Sequence, residues 1–397
     1  MTATSFTVSV SDAALTDLRE RLRRTRLPQV FEGRGWSRGV DVDYLAELVA
    51  WWRDRFDWRM QERAINAFPH YRAQIDGHTV HFIHVRGRGN GAMPLVLTHG
   101  WPSSFLEYLP LVPPLTDPAR HGGDAADAFD VVIPSLPGYG FSAPLRPRES
   151  HRIPDLWARL MSDILGYDRF GAYGGDIGGM VTNRLALEFR ERLTGVMTSF
   201  VAEPYLGPGA PPLTAAERAF LDRRRATPFD GANAYWHVQS TRPQTVAVAL
   251  TDSPAGLAAW VVDKWREWSD CDGDIERRFS KDELLTLLTL YWVTGTIASS
   301  FQVYDDWQLG HADDPSAWEG RPEVPTGITR PLSRDERIDV PAGVVLFGLA
   351  RWPREWAERS YADLRHFVEL PRGGHFGALE EPQLLAHELR AFFRGLR

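Results

Sequence analysis

Cysteine is almost absent from this chain of 397 residues, with Cys271 the only one. That excludes a disulfide framework and a cysteine-based metal site. Cys271 stands between Asp270 and Asp272, whose charges disfavour a thiolate, so it is also a poor nucleophile. Lysine is scarce too: Lys264 and Lys281 are the only two, and the basic complement is otherwise arginine. The net charge of −7 gives no electrostatic support to a nucleic-acid partner. No apolar run approaches the eighteen or so residues of a membrane span. The opening residues, Met1 to Thr7, have neither a basic n-region nor an apolar h-region, and the expectation is a cytoplasmic protein with no membrane partner. Internal repeats and low-complexity stretches are missing as well.

Two apparent ligand motifs fail their context. Gly87-Arg88-Gly89-Asn90-Gly91 has the look of a phosphate loop, but it joins one strand pattern to another and no helix follows directly, so it reads as a hairpin loop. Asp270-Cys271-Asp272-Gly273-Asp274 alternates carboxylates like a calcium loop. Its sixth position is Ile275 and its twelfth Lys281, where such a loop needs Gly and Glu. It reads as a solvated loop, and no metal or other cofactor is expected.

What is present divides the chain into four parts. Residues 1–75 are Trp-rich and mostly helical, with one helix capped by Ser11 and running to Arg24 and another from Asp43-Tyr44 to Phe56. This part is too thin for its own core and is expected to wrap the main domain. Residues 76–203 alternate strands and helices. His78 to Val85 pairs back across Asp76-Gly77, Pro94 to Thr98 and Asp130 to Pro134 are apolar runs, and Thr194 to Val201 reads as a buried strand. Residues 204–333 change to helices and loops rich in aromatics, among them Tyr235, Trp236, Trp260, Trp265, Trp268, Tyr291, Trp292, Phe301, Tyr304, Trp307 and Trp318. Residues 334–397 resume the alternation with Gly343 to Phe347, His366 to Leu370 and a closing helix from Pro382 to Phe393. The fold class is α/β, a mostly parallel sheet covered on both faces, with a helical cap inserted.

The chain is organised around Tyr173-Gly174-Gly175-Asp176-Ile177-Gly178-Gly179. Small residues at 174 and 178 bracket Asp176 in the pattern that permits a tight strand-to-helix turn and exposes one side chain above the sheet. A Gly-rich turn whose Asp caps the next helix is the plainer reading. Two further stretches favour chemistry. Thr98-His99-Gly100-Trp101-Pro102 follows an apolar strand, and a turn there would aim the Trp101 N–H beside the Ile177 N–H as an oxyanion hole. Arg372-Gly373-Gly374-His375-Phe376 lies between the last strand and last helix, where a hydrolase of this order carries its histidine.

With these motifs the chain resembles the epoxide hydrolases of the microsomal type, α/β-hydrolases with a helical cap and an N-terminal wrapping segment. The likeness runs through Trp58, Phe68-Pro69, His99 to Pro102, Ser135 to Ser142, the Asp176 turn, and Gly373 to Phe376 with Glu380-Glu381-Pro382. It also takes in Ala234-Tyr235 with Gln239 to Thr245, and Leu290 to Thr296 followed by Tyr304. The resemblance implies Asp176 as the carboxylate that attacks an epoxide carbon and Tyr235 and Tyr304 as acids for the opening ring. His375 would activate water, Trp101 and Ile177 would form the oxyanion hole, and Trp236, Phe301, Trp101 and Ile177 would contact substrate. It implies a small-molecule epoxide as partner, bulky or aromatic given the cap, hydrolysed to a vicinal diol. The same relatives in bacteria serve natural-product pathways, including enediyne biosynthesis. A homodimer is the default oligomeric expectation.

Two positions depart from the family pattern. Ile177 stands where the family usually has Trp. Ala350 stands near the place of the triad acid, and losing such an acid costs about 10⁴ in rate in the serine-protease template. Glu203, after the strand 194–201, is the better-placed substitute; Glu355 is the poorer one. The missing acid motivates an alternative, a repurposed enzyme that activates an epoxide for a carbon–carbon or ring-forming reaction. Haloalkane dehalogenation would need the halide-binding Trp that Ile177 replaces, and a catalytically dead binding protein would not need the intact Asp, His and tyrosines.

Overall fold

Unbroken burial decides the sheet. Phe129–Pro134, Phe170–Gly174 and Ala342–Leu346 are buried at every position, as strands covered on both faces must be. The computed structural model describes residues 2–29, 33–89, 91–226, 233–306, 330–348 and 351–397; Asn90, Trp307, Trp318 and Ala350 lie outside them. The first half of the chain contains β1 (Thr4–Phe6), α1 (Asp12–Arg23), α2 (Val42–Asp54), α3 (Trp58–Ile65), β2 (His70–Ile75), β3 (His78–Val85), β4 (Met93–Thr98), α4 (Val112–Thr116), β5 (Phe129–Pro134), α5 (Ile153–Arg159), β6 (Phe170–Gly174), α6 (Asp176–Glu188) and β7 (Leu193–Thr198). The second half contains α7 (Ala215–Ala226), α8 (Ala234–Thr241), α9 (Pro243–Asp252), α10 (Pro254–Trp268), α11 (Lys281–Thr294), β8 (Ala342–Leu346), α12 (Arg354–Ser360), β9 (Leu364–Glu369), α13 (Gly377–Glu380) and α14 (Pro382–Arg394).

The strands form one sheet in the order β1-β2-β3-β5-β4-β6-β7-β8-β9. Pairing is antiparallel from β1 to β5 and parallel from there to β9. Asp76 and Gly77 both have positive φ, 49° and 80°, the geometry a two-residue hairpin between right-twisted strands requires. The β7 strand ends at Thr198, three residues short of the expected Val201. The strands around the switch in chain direction, β4 and β6, point their carboxyl ends at the same space, where ligands bind in open α/β sheets.

The N-terminal part, expected to be helical, also contributes a strand, β1, to the sheet edge. Its helices lie on the cap helices α10 and α11, and α1 reaches α9 through Arg21. The Trp52 indole donates to Thr289 Oγ1 at 2.9 Å within a buried contact, and the Trp51 indole donates to Asp282 at 2.9 Å. Arg21 pairs with Asp252 at 2.9 Å, and Lys281 pairs with Glu47 at 3.0 Å and with Glu276. Lys264, the other lysine, sits between Asp263 at 3.1 Å and Glu267 at 2.7 Å. Both lysines are buried, which a cation tolerates only when paired. On the other side of the cap, Arg359 of α12 holds the entry to α7 through the Pro211 and Pro212 carbonyls and buried Glu217. Among the described residues no single helix is long and apolar enough to cross a membrane.

Trp52 is 2 % exposed and bridges two parts of the chain, so Trp52→Ala should lower global stability by about 3–5 kcal/mol. Urea unfolding measures this; an unchanged midpoint would show the N-terminal helices to be an independent appendage.

Candidate active site

The turn between β6 and α6 is built by close contact. Asp176 has φ +50°, a left-handed conformation rare outside glycine. A Cβ on Gly178 would stand 1.8 Å from the Thr98 carbonyl oxygen, and one on Gly174 would stand 2.2 Å from the Gly178 oxygen. Glycine at both positions is thus a steric demand of bringing α6 against the end of β4. Gly100 is equally constrained, since its Cβ would fall 2.3 Å from Asp176 Oδ1. The helix-cap reading of Asp176 does not describe this geometry. The N-cap of α6 is Gly175, with no side-chain cap bond, and the Asp176 carboxylate instead accepts the Trp101 backbone N–H at 2.9 Å.

Trp101 belongs to a turn fixed by a buried imidazole. His99 accepts the Leu136 N–H at Nε2, 3.1 Å away, and its Nδ1 meets the Gly100 carbonyl at 3.1 Å. Burial pushes the His99 pKa down to about 4, so the ring is neutral and can accept at one nitrogen while donating at the other. The loop after β5 continues outward from there. Tyr139 donates to the Ser300 carbonyl at 2.9 Å and Ser299 donates to the Gly138 carbonyl at 2.6 Å, which ties the segment carrying Tyr304 to the core. Asp306 accepts the Arg148 and Ser150 N–H groups at 2.7 and 2.9 Å on the far side of Tyr304. Ile177 is the first helical residue after Asp176, and first-turn N–H groups have no intrahelical acceptor.

The aromatic residues meet over this turn. The Tyr235 ring lies flat on the Trp101 indole, 5.1 Å away with 3° between planes. Tyr304 stands edge-on to both, at 6.0 Å from each. Trp236 packs against Tyr304 at 4.8 Å and Phe301 against Trp101 at 6.3 Å. Burial, with a smaller contribution from the Asp176 charge, moves both phenols above the ordinary phenol range. They remain protonated donors. A cavity of about 350 Å³ is lined by Asp176, His375, Ser199, Phe200, Glu267 and Trp268, and neither phenol is among its lining residues.

His375 Nε2 is 3.8 Å from Asp176 Oδ2. Its backbone N–H donates to the Trp268 carbonyl at 2.7 Å. Glu380 accepts the N–H groups of Gly374, Phe376 and Asp270 at 3.0, 3.1 and 2.8 Å, clamping the histidine loop to the end of α10. Glu203 is not brought to this cluster. Its carboxylate is partly exposed and pairs with Arg224 at 3.5 Å. Glu355 lies in the first turn of α12. Among the described residues, Asp176 is the only carboxylate within 4.0 Å of a His375 ring nitrogen.

Sequence reasoning missed Glu107, Glu267 and Glu380 as parts of the site. Glu380 was visible only as a member of a matched stretch, and Glu107 follows the Trp101 turn by six residues without an obvious role. Burial first, then the nearby charges of Asp176 and Glu380, raise the Glu107 pKa to about 8 against the opposing hydrogen bond with Ser103. A neutral Glu107 adds no charge beside Asp176. The two buried groups act on stability in opposite directions. The fold favours neutral His99, whose contribution is full above about 6.5 and lost as pH falls toward 4. It also favours protonated Glu107, whose contribution is full below about 4.5 and lost as pH rises toward 8. Glu107→Gln should therefore gain stability over the native chain between pH 5 and pH 8, on the order of a few kcal/mol. Thermal unfolding across that range checks it, and a pH-independent difference rejects a titrating Glu107.

The chain is similar to known proteins along nearly its whole length. A sequence profile described as "Epoxide hydrolase N terminus" matches residues 3–108, and one described as "alpha/beta hydrolase fold" matches residues 93–274. The chain is 43% identical to a Stigmatella aurantiaca protein named "Putative epoxide hydrolase", covering 99% of this chain and 85% of that one. It is 34% identical to "Epoxide hydrolase 1" of the pig, Sus scrofa, over 98% of this chain and 87% of that one. Among solved structures, the Aspergillus niger epoxide hydrolase superposes with a TM-score of 0.80 at 29% identity, covering 100% of this chain and 97% of its own.

Proposed function

We infer the chemistry from the premise that this chain belongs to the epoxide hydrolase family, enzymes on an α/β-hydrolase fold that open epoxides to diols. The observation that carries the mechanism is the setting of Asp176. Its carboxylate is held at Oδ1 by the Trp101 N–H, faces His375 at Oδ2, and is near enough to the Tyr235 and Tyr304 phenols for its charge to act on both.

In this mechanism an Asp176 oxygen attacks one epoxide carbon in line, and that same carbon's bond to the ring oxygen, on the face away from the carboxylate, breaks as the ester forms. Tyr235 and Tyr304 donate hydrogen bonds to the departing alkoxide oxygen, and one of them delivers its proton. Their upward shifts suit that task, because a phenol ionised beforehand could not donate. In the second half His375 removes a proton from water, which attacks the ester carbonyl carbon. The oxygen bearing the developing charge is the one facing the Trp101 and Ile177 N–H groups. Collapse expels the diol's second oxygen, which takes the proton held by His375; the water's remaining proton returns to the ionised phenol, and the Asp176 carboxylate is restored. The aromatic walls favour a bulky or aryl substrate.

A second reading rests on His375 having, among the described residues, no carboxylate other than Asp176 within ion-pairing range. With weaker support for its imidazolium, the enzyme would open the ring and deliver a nucleophile other than water. Isotope labelling separates the two. Single turnover in ¹⁸O water should place the label in the Asp176 carboxylate; diol formation with an unlabelled carboxylate rejects the ester route. Asp176→Ala should abolish ring opening. Tyr235→Phe and Tyr304→Phe should each slow ester formation by about 10²-fold or more, as followed by mass of the alkylated protein, and unchanged alkylation in both removes the tyrosines from the mechanism.

A further inference from the structure

A second and larger cavity, about 770 Å³, lies outside the Asp176 chamber between the N-terminal segment and the cap. One wall is the loop Trp36 to Val40, and the other comes from α8 and α10 with Tyr235, Ala259, Trp260, Lys264 and Glu267. Two residues stand between it and the reacting centre. Glu267 is a wall common to this cleft and the chamber that holds Asp176 and His375. Tyr235 forms part of the cleft wall while its ring lies on Trp101 and meets Tyr304 edge-on. The inner chamber alone is at the small end of the range for ligand sites, roughly 300–1,000 Å³.

We propose that this cleft is an outer subsite that holds the aromatic arm of the epoxide substrate while its oxirane sits at Asp176. The inference rests on the epoxide-opening reading and deepens it by naming where the remote part of the substrate binds. The walls suit a flat apolar group. Trp36 presents an indole steadied by the Arg266 guanidinium, 4.9 Å from its ring. Trp260 is fixed opposite by its indole N–H, which donates to Gln239 Oε1 at 2.9 Å. The Lys264 side chain is 6 % exposed and sits 5.9 Å from the Tyr235 ring and 6.0 Å from that of Trp268. With Asp263 and Glu267 it forms a polar floor of one ammonium against two carboxylates, and Arg38 and Arg266 line the same cleft, so both signs of charge border the indoles. The N-terminal segment then serves in binding, because Trp36 belongs to neither the sheet nor the cap.

Two epoxides test this in the full chain: styrene oxide, and a glycidyl ether carrying a naphthyl group. Trp36→Ala removes one wall, and Ala259→Trp fills the cleft from the other. Each should lower the ratio of kcat/KM for the long substrate to that for the short one by about fivefold to tenfold, through KM for the long one, as expected for losing an aromatic contact of about 1–1.4 kcal/mol. If the native enzyme opens both epoxides and neither variant moves the ratio beyond about twofold, the outer subsite is rejected. If the native enzyme opens neither, the epoxide-opening reading fails and takes this inference with it.

Discussion

The approach of α6 to the end of β4 is the constraint on which the rest of the site depends. Gly178 touches the Thr98 carbonyl so closely that no side chain fits, and this contact sets the distance between the Asp176 turn and the Trp101 turn. From it follow the hydrogen bond that orients the carboxylate and the place of the indole on which Tyr235 stacks. The strained φ of Asp176 persists because these neighbours over-determine it, as backbone strain at reacting centres requires. His99 then passes the position of this turn to the loop after β5, and that loop passes it to the segment carrying Tyr304.

The cap is held from two directions. Arg359 and Glu217 fasten its entry to the core, while α1 and α2 grip α9 to α11 through indole donors and ion pairs. The exposed pairs among these add little individually; the buried tryptophan carries more, because it supplies apolar contact and satisfies a donor at once. The phenols need this firmness. A donor acts well on a developing alkoxide only when its position is settled before the reaction begins.

Much of the site was legible because its signals are local. The glycines at 174 and 178 record a steric limit within five residues, and Asp76-Gly77 records a turn with two positive φ values. The histidine loop was found by its order along the chain. What escaped depends on distant partners. β1 is three residues long and exists only because β2 offers an edge. The N-terminal helices carry an apolar stripe that would serve equally against sheet or cap, and only the complementary surface of α10 and α11 decides between them. Glu203 was placed by the end of its strand, yet that strand stops at Thr198, and the chain turns Glu203 toward Arg224. Glu107 reads as a surface carboxylate until the packing of α13 over it removes the water.

The scarcity of lysine acquires a practical meaning from the fold. Both ammonium groups are sunk in the cap and locked to carboxylates. An amine-directed crosslinker, dye or solid support therefore finds no exposed lysine on this protein. Surface carboxylates, which are plentiful, offer many more points of attachment than side-chain amines do.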